Sequence, residues 1–154
     1  MDIKQAFFQI RILHAALFVG VILFAGISFA FHNFMSIGDS LVTLPDNAFY
    51  LVLLLAGLLL WLSYFTYRNR ISKIVKGSSL KERIDAFRSA AILRVALVEA
   101  ASLVVIMAYL LSGDRMYLIV AIAPLFFFIS TFPKEDKMIE TLELSYSEVQ
   151  QLNE

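Results

Sequence analysis

The feature that most constrains this chain is a set of four long segments from which charged side chains are nearly absent. A helix that spans a bilayer needs about 20 predominantly apolar residues. Residues 12–31, 48–67 and 116–132 contain no Asp, Glu, Lys or Arg, and residues 91–111 contain only Arg94 and Glu99. The pattern predicts an all-α bundle of four transmembrane helices, with spans at residues 10–31, 48–67, 90–111 and 116–132.

Composition also favours a membrane protein. Of the 154 residues, 60% are hydrophobic and 17% are charged, and the mean hydropathy is +0.77. Globular chains contain roughly 45–50% apolar and about 25% charged residues. A soluble domain of this size has too much surface for its volume to bury so many apolar side chains. The chain is therefore expected to lie in a lipid bilayer.

The distribution of basic residues predicts the orientation of the spans. Every Lys and Arg except Arg115 precedes or begins the first span, lies between or at the facing ends of the second and third, or follows the fourth. The opposite loop, residues 32–47, carries Asp39 and Asp46 but no basic side chain. Because loops on the cytoplasmic side carry an excess of Lys and Arg, both termini are predicted to be cytoplasmic.

The second and third spans are predicted to extend beyond the membrane as a helical hairpin, residues 68–89. Gly77 is suited to end the second helix, since Gly is common just past a helix C-terminus. Ser79 and Glu82 match a capping box, so the third helix is predicted to begin at Leu80 and to run to Leu111. The hairpin and its spans belong to one membrane unit, residues 1–132.

The hairpin is strongly basic and the C-terminal tail is acidic. Residues 68–88 have a net charge of +5, and residues 134–154 have a net charge of −4. Such a basic segment either attracts anionic lipid head groups or docks a membrane-protein partner or a second copy of the chain. The tail, residues 133–154, either folds back on the hairpin or is a solvated face. The candidate docking residues are Arg68, Arg70, Lys73, Lys76, Lys81, Arg83 and Arg88.

Glu99 is the most informative polar residue, because it falls near the middle of the third span. A charged side chain at the bilayer centre costs about 2.5–3.5 kcal/mol on insertion scales. We therefore expect the carboxyl to face the bundle in its protonated form and to donate a hydrogen bond. Pro124 cannot donate a backbone hydrogen bond, so it frees the carbonyl of Val120 as a candidate acceptor. Arg94 points away from Glu99 around the helix and is expected to reach the cytoplasmic interface.

Three further positions complete the candidate buried polar or ion-binding set. Gly20 and Gly57 lie near the midpoints of the first two spans, where small residues let helices approach closely. His14 lies near the cytoplasmic end of the first span and is interpreted as a packed or interfacial histidine rather than a ligand. The full set is Glu99, Arg94, His14, Gly20, Gly57 and Pro124.

Several function classes lack the residues that they need. The chain has no Cys and only two His, so neither a Cys-zinc site, a disulfide nor a local His-based metal motif is expected. Its six glycines form no dinucleotide or phosphate-binding motif. The formal net charge is zero, which does not suggest a nucleic-acid partner. We expect no cofactor, no metal and no catalytic residue, and hence no enzyme.

The hairpin and the third span carry a recognisable series of short motifs. The series is Arg83-Ile84-Asp85-Ala86-Phe87-Arg88, then Arg94-Val95-Ala96-Leu97-Val98-Glu99-Ala100, then Tyr109-Leu110-Leu111-Ser112-Gly113-Asp114, and finally Phe132-Pro133-Lys134. It resembles an uncharacterised family of small bacterial four-helix membrane proteins. That family has no known activity, so the resemblance implies a four-helix fold in the bacterial inner membrane and no function. Ala100 stands where the family usually has Gly.

Two functions are consistent with these features. The first is a non-catalytic accessory or interaction subunit of a membrane complex, since such a role needs no reactive group. The alternative is a component of proton- or cation-linked transport that uses Glu99. We see no internal repeat of the kind that many transporters show.

Overall fold

The computed structural model is an all-helical bundle, and it describes residues 3–34, 41–45, 47–74 and 79–142. Within these ranges there are five helices and no strand: α1 (Ile3–Phe34), α2 (Ala48–Ile71), α3 (Leu80–Ser112), α4 (Met116–Ser130) and α5 (Glu135–Leu142). The first three are long and apolar enough to cross a membrane, and α4 is a shorter apolar helix. The predicted all-α class, built mainly from long apolar helices, is confirmed. The predicted positions Asp39, Asp46, Lys76, Gly77 and 143–154 lie outside the described residues.

Helix α3 is the centre of the bundle, because it packs against α1, α2 and α4. Its fully buried residues recur at helical spacing along one stripe. They include Val98, Ala101, Ser102, Val105, Ile106 and Tyr109. By contrast, α1 and α2 keep large apolar side chains such as Leu23, Ile27 and Leu54 at least 60% exposed. Such surfaces are unfavourable in water and suit contact with lipid.

The outer helices contact α3 through narrow seams. On α1 the buried side chains Phe7, His14, Val21 and Ser28 are spaced by seven residues, which is close to two helical turns. On α2 the buried positions Ala48, Ala56 and Ser63 are all small. Small residues let two helix backbones approach closely. Close packing matters in a bilayer, because lipid chains can replace other apolar contacts between helices.

The antiparallel helices give the bundle two ends. We call the hairpin end the one where α1 and α3 begin and α2 and α4 end, and the loop end the opposite one. All described Lys and Arg residues except Arg115 lie in the half of the bundle nearer the hairpin end. Which end faces the cytoplasm stays a prediction of the charge distribution.

The start of α3 has the predicted capping box. The Glu82 backbone N–H donates to Ser79 Oγ at 3.4 Å, and the Ser79 N–H donates to Glu82 Oε2 at 3.1 Å. The Arg70 guanidinium of α2 donates to Ser89 Oγ of α3 at 3.0 Å. The described part of the hairpin is therefore stabilised both at the start of α3 and between its two helices.

The first part of the acidic tail folds back on the hairpin as α5. Met138 and Leu142 are buried in an apolar cluster with Phe7, Ile84 and Phe87. The guanidinium of Arg83 also donates to the carbonyl oxygen of Leu142, the last residue of α5, at 2.7 Å. Apolar burial and a helix cap thus hold α5 against the bundle.

Candidate functional site

His14 is a buried donor that caps the end of another helix. Its Nε2–H donates to the carbonyl oxygen of Phe128 in α4 at 3.0 Å, because a carbonyl can only accept. That carbonyl lies in the last turn of α4, where carbonyls have no intrahelical partner. Thr131 Oγ1 donates to the same oxygen at 3.0 Å. The His14 ring packs edge-on against Phe128 and Phe132 at 4.8 and 5.2 Å between ring centroids.

His32 makes the equivalent contact at the loop end. Its Nε2–H donates to the carbonyl oxygen of Leu110, in the last turn of α3, at 2.8 Å. The next carbonyl, Leu111, accepts from the Val42 N–H at 3.1 Å, and Tyr109 accepts from the Gly113 N–H at 2.8 Å. Three carbonyls in the last turn of α3 thus each accept a hydrogen bond from a different donor.

The two histidines share one face of α1. They are 18 residues apart, which is five helical turns at about 3.6 residues per turn. His14 is a packed histidine here, in keeping with its interpretation from the sequence. The sequence analysis does not predict the His32 contact, although the five-turn spacing to His14 is a signal for it.

Arg94 rests on aromatic rings rather than on a carboxylate. Its guanidinium carbon lies 4.4 Å from the centroid of the Tyr67 ring and 5.9 Å from that of Phe127. Its backbone carbonyl accepts from Ser63 Oγ of α2 at 3.1 Å. The buried Nε has no hydrogen-bond partner among the described residues. The guanidinium is therefore held by its contacts with the two aromatic rings, and its Nε–H donates to no described residue.

A cavity at the hairpin end gathers polar residues of all five helices and of the α4–α5 connection. It has a volume of about 50 Å³, which is room for several water molecules. Its polar lining comprises His14, Tyr67, Arg94, Ser130, Thr131, Lys134 and Lys137. None of the described residues that line it is acidic. The cavity is thus cationic, and we call it the cationic cavity.

Glu99 lies at the edge of the buried stripe of α3. Its side chain is only partly buried, and it makes no hydrogen bond to another described residue. Pro124 is fully buried and lies within α4. The predicted donation from Glu99 to the Val120 carbonyl is therefore not made in this structure, in which both residues are described.

The two mid-span glycines do not bring helices of this chain together. Gly20 and Gly57 are exposed, and a Cβ added at either position would meet no atom within 4 Å. Their neighbours Val21 and Ala56 are buried instead. The close approach that we predicted at these glycines is therefore made one residue away, because each helix is turned by about 100° from the expected orientation.

Four of the predicted docking residues of the hairpin are exposed. Arg68, Arg70, Lys73 and Lys81 are exposed, whereas Arg83 and Arg88 are partly buried. We call the four exposed residues the basic ridge. Within the described ranges, no group of three or more His, Cys, Asp or Glu side chains could hold a metal ion.

Comparison with known proteins does not extend this description. No family model, curated protein or solved structure matches the chain. The fold itself defines a class, that of an all-helical protein with three long apolar helices suited to span a membrane and a shorter fourth. The resemblance to small bacterial four-helix proteins stays a prediction.

Proposed function

We propose that this protein is a non-catalytic accessory or interaction subunit of a membrane complex, with its hairpin and both termini on the cytoplasmic side of a bacterial inner membrane. The observation that supports the proposal is the basic ridge. Four exposed cationic side chains lie on a hairpin that is anchored by a capping box, by the Arg70–Ser89 bond and by α5. A charged surface on a rigid support suits recognition of an acidic partner surface.

The length of α3 favours a protein partner over lipid at the far part of the ridge. At about 1.5 Å per residue its 33 residues extend roughly 50 Å, whereas the hydrocarbon core is about 30 Å thick. If residues 91–111 occupy the core, the first turns of α3 project about 15 Å beyond it. Lys81 would then stand outside the head-group layer, where a cytoplasmic partner can contact it.

Reversing the charge of the ridge is expected to break the complex without unfolding the protein. In native membranes, a photo-crosslinking residue at exposed Asn69 should form a protein adduct of one defined mass. The triple substitution Arg68→Glu, Lys73→Glu and Lys81→Glu, which spares the Arg70–Ser89 bond, should reduce that adduct at least about tenfold, because opposite charges become like charges. Denaturing electrophoresis and mass spectrometry measure the yield.

Two controls are available at the loop end. A crosslinker at exposed Asn33 should not form the same adduct, and Arg115→Glu should leave the Asn69 adduct unchanged. Adduct yield that is insensitive to the triple reversal, or adducts with lipid alone, would contradict the proposal.

Glu99 supports the second candidate function, proton- or cation-linked transport. It is a carboxyl partway along the central helix, and none of the described residues hydrogen-bonds to it. A group of this kind is a functional candidate by position alone.

The substitution Glu99→Gln separates the two candidates. For an accessory subunit we expect the Asn69 adduct to persist and unfolding stability to change by less than about 1 kcal/mol, because Gln keeps a donor and an acceptor. Vesicles containing the purified protein should show no proton flux with either side chain, as read by a pH-sensitive dye. Flux that the native protein supports and Glu99→Gln abolishes would establish transport instead.

A further inference from the structure

An apolar groove lies beside the cationic cavity on the outside of the bundle. The groove runs between α1 and α4, has a volume of about 270 Å³, and is lined by Ala15, Phe18, Val19 and Phe128. His14 and Phe132 line both the cavity and the groove. The cationic cavity and the apolar groove thus lie side by side.

The cavity has the chemistry of a phosphate site. Arg94, Lys134 and Lys137 bring three cationic groups to one recess, and none of its described lining residues is acidic. Like charges in a partly buried site repel unless an anion joins them. Arg94 is already oriented by Tyr67, and its Nε–H has no partner within the described chain. Guanidinium groups bind phosphate oxygens with two parallel hydrogen bonds, which suits this arrangement.

The groove has the chemistry of an acyl-chain site. Val19 is 53% exposed and Ile129 is 61% exposed, so the groove opens outward from the bundle. In a bilayer such an opening is filled by hydrocarbon chains. What distinguishes this groove is that it begins beside the cationic cavity.

We propose that the cationic cavity and the adjoining groove together bind one anionic phospholipid, with the phosphate held by Arg94, Lys134 and Lys137 and an acyl chain lying between α1 and α4. The site shares no residue with the basic ridge and does not rest on the proposed interaction function. A free phosphate ester could satisfy the cavity but would leave the groove unused. Basic pockets between transmembrane helices on the cytoplasmic side commonly bind anionic lipid head groups.

Native mass spectrometry of the full chain tests the lipid site. The protein is released from nanodiscs that contain equal amounts of phosphatidylglycerol and phosphatidylcholine, and retained lipids are counted. We expect one phosphatidylglycerol to be retained in preference to phosphatidylcholine. Arg94→Gln should reduce that preference about tenfold, since a hydrogen bond between charged groups is lost.

A matched pair of double substitutions keeps the test valid if Arg94→Gln does not fold. Lys134→Gln with Lys137→Gln removes two exposed charges from the cavity, and it should lower the preference severalfold. Lys73→Gln with Lys81→Gln removes two exposed charges from the basic ridge, and it should leave the preference unchanged. Equal losses from both pairs would mean only general attraction to a basic surface, which overturns the proposal.

Two neighbouring alanines test the groove. Ala15 lines it, whereas Ala16 is exposed outside it. Ala15→Trp should fill the groove and reduce lipid retention, and Ala16→Trp should not. Glycerol phosphate, which carries the head-group phosphate without acyl chains, should not displace the lipid at millimolar concentration. Displacement by glycerol phosphate, or equal retention by the two Trp variants, would overturn the assignment to a phospholipid.

Discussion

Replacing Gly113 with Ala is expected to destabilise the protein by about 2–3 kcal/mol. Gly113 ends α3 with a φ of +71°, a left-handed conformation that costs other residues about 1–2 kcal/mol. An added Cβ would also lie 3.2 Å from His32 Cε1 and 3.3 Å from His32 Nδ1. The ring would have to move, which weakens its bond to the Leu110 carbonyl by about 0.5–1.5 kcal/mol. Unfolding in mixed micelles by titration with a denaturing detergent measures the change.

The bundle provides internal controls for this prediction. Gly20→Ala and Gly57→Ala place the new methyl group in open space within helices. They should be neutral or stabilise by up to about 1 kcal/mol, because Ala is the better helix former. In the His32→Ala background there is no ring to displace. Gly113→Ala should then destabilise the protein only by the cost of the left-handed backbone conformation. If Gly113→Ala costs no more than Gly20→Ala, the left-handed cap and its histidine contact do not stabilise the bundle.

Removing both donors to the Phe128 carbonyl is expected to cost more than the sum of the single changes. His14→Leu alone leaves Thr131 to satisfy that oxygen, and Thr131→Val alone leaves His14, so each should cost about 0.5–1.5 kcal/mol. Together they leave the buried Phe128 carbonyl without a protein donor, and an unsatisfied polar group in apolar surroundings costs several kcal/mol. We expect a coupling of at least about 1 kcal/mol in a double-mutant cycle from the same unfolding assay.

His32→Leu is the comparison for that cycle. Among the described residues, His32 is the side-chain donor to the Leu110 carbonyl and no second one is present. His32→Leu should therefore destabilise more than His14→Leu. If the free-energy costs of His14→Leu and Thr131→Val are strictly additive, water from the cationic cavity replaces the missing donors to the Phe128 carbonyl.

The helices and several of their ends could be predicted from local sequence. Uncharged stretches of about 20 residues located the apolar helices, since hydropathy is a property of each segment by itself. Ser79 and Glu82 predicted the start of α3, because a capping box involves residues only three apart. For the tail, the sequence left two alternatives, a return to the hairpin or a solvated face. In the structure α5 returns to the hairpin and buries Met138 and Leu142 there.

The orientation of each helix about its axis could not be predicted in the same way. Gly57 was chosen as a contact position, but its neighbour Ala56 is buried and Gly57 is exposed. In water, an apolar stripe identifies the inward face of a helix. In lipid, both faces are apolar, so hydrophobicity does not distinguish Ala56 from Gly57.

The sequence by itself therefore determined the helical class, the boundaries of the apolar segments and the strong charge asymmetry between the two ends. Only the tertiary structure decided which polar groups meet. His14, Tyr67, Arg94 and Lys134 lie on different helices or connections, yet they line one cavity. The physical reason is that helix packing in lipid depends on close fit and on donors for terminal carbonyls, such as His14 and His32. These are relations between segments, and no single segment encodes them.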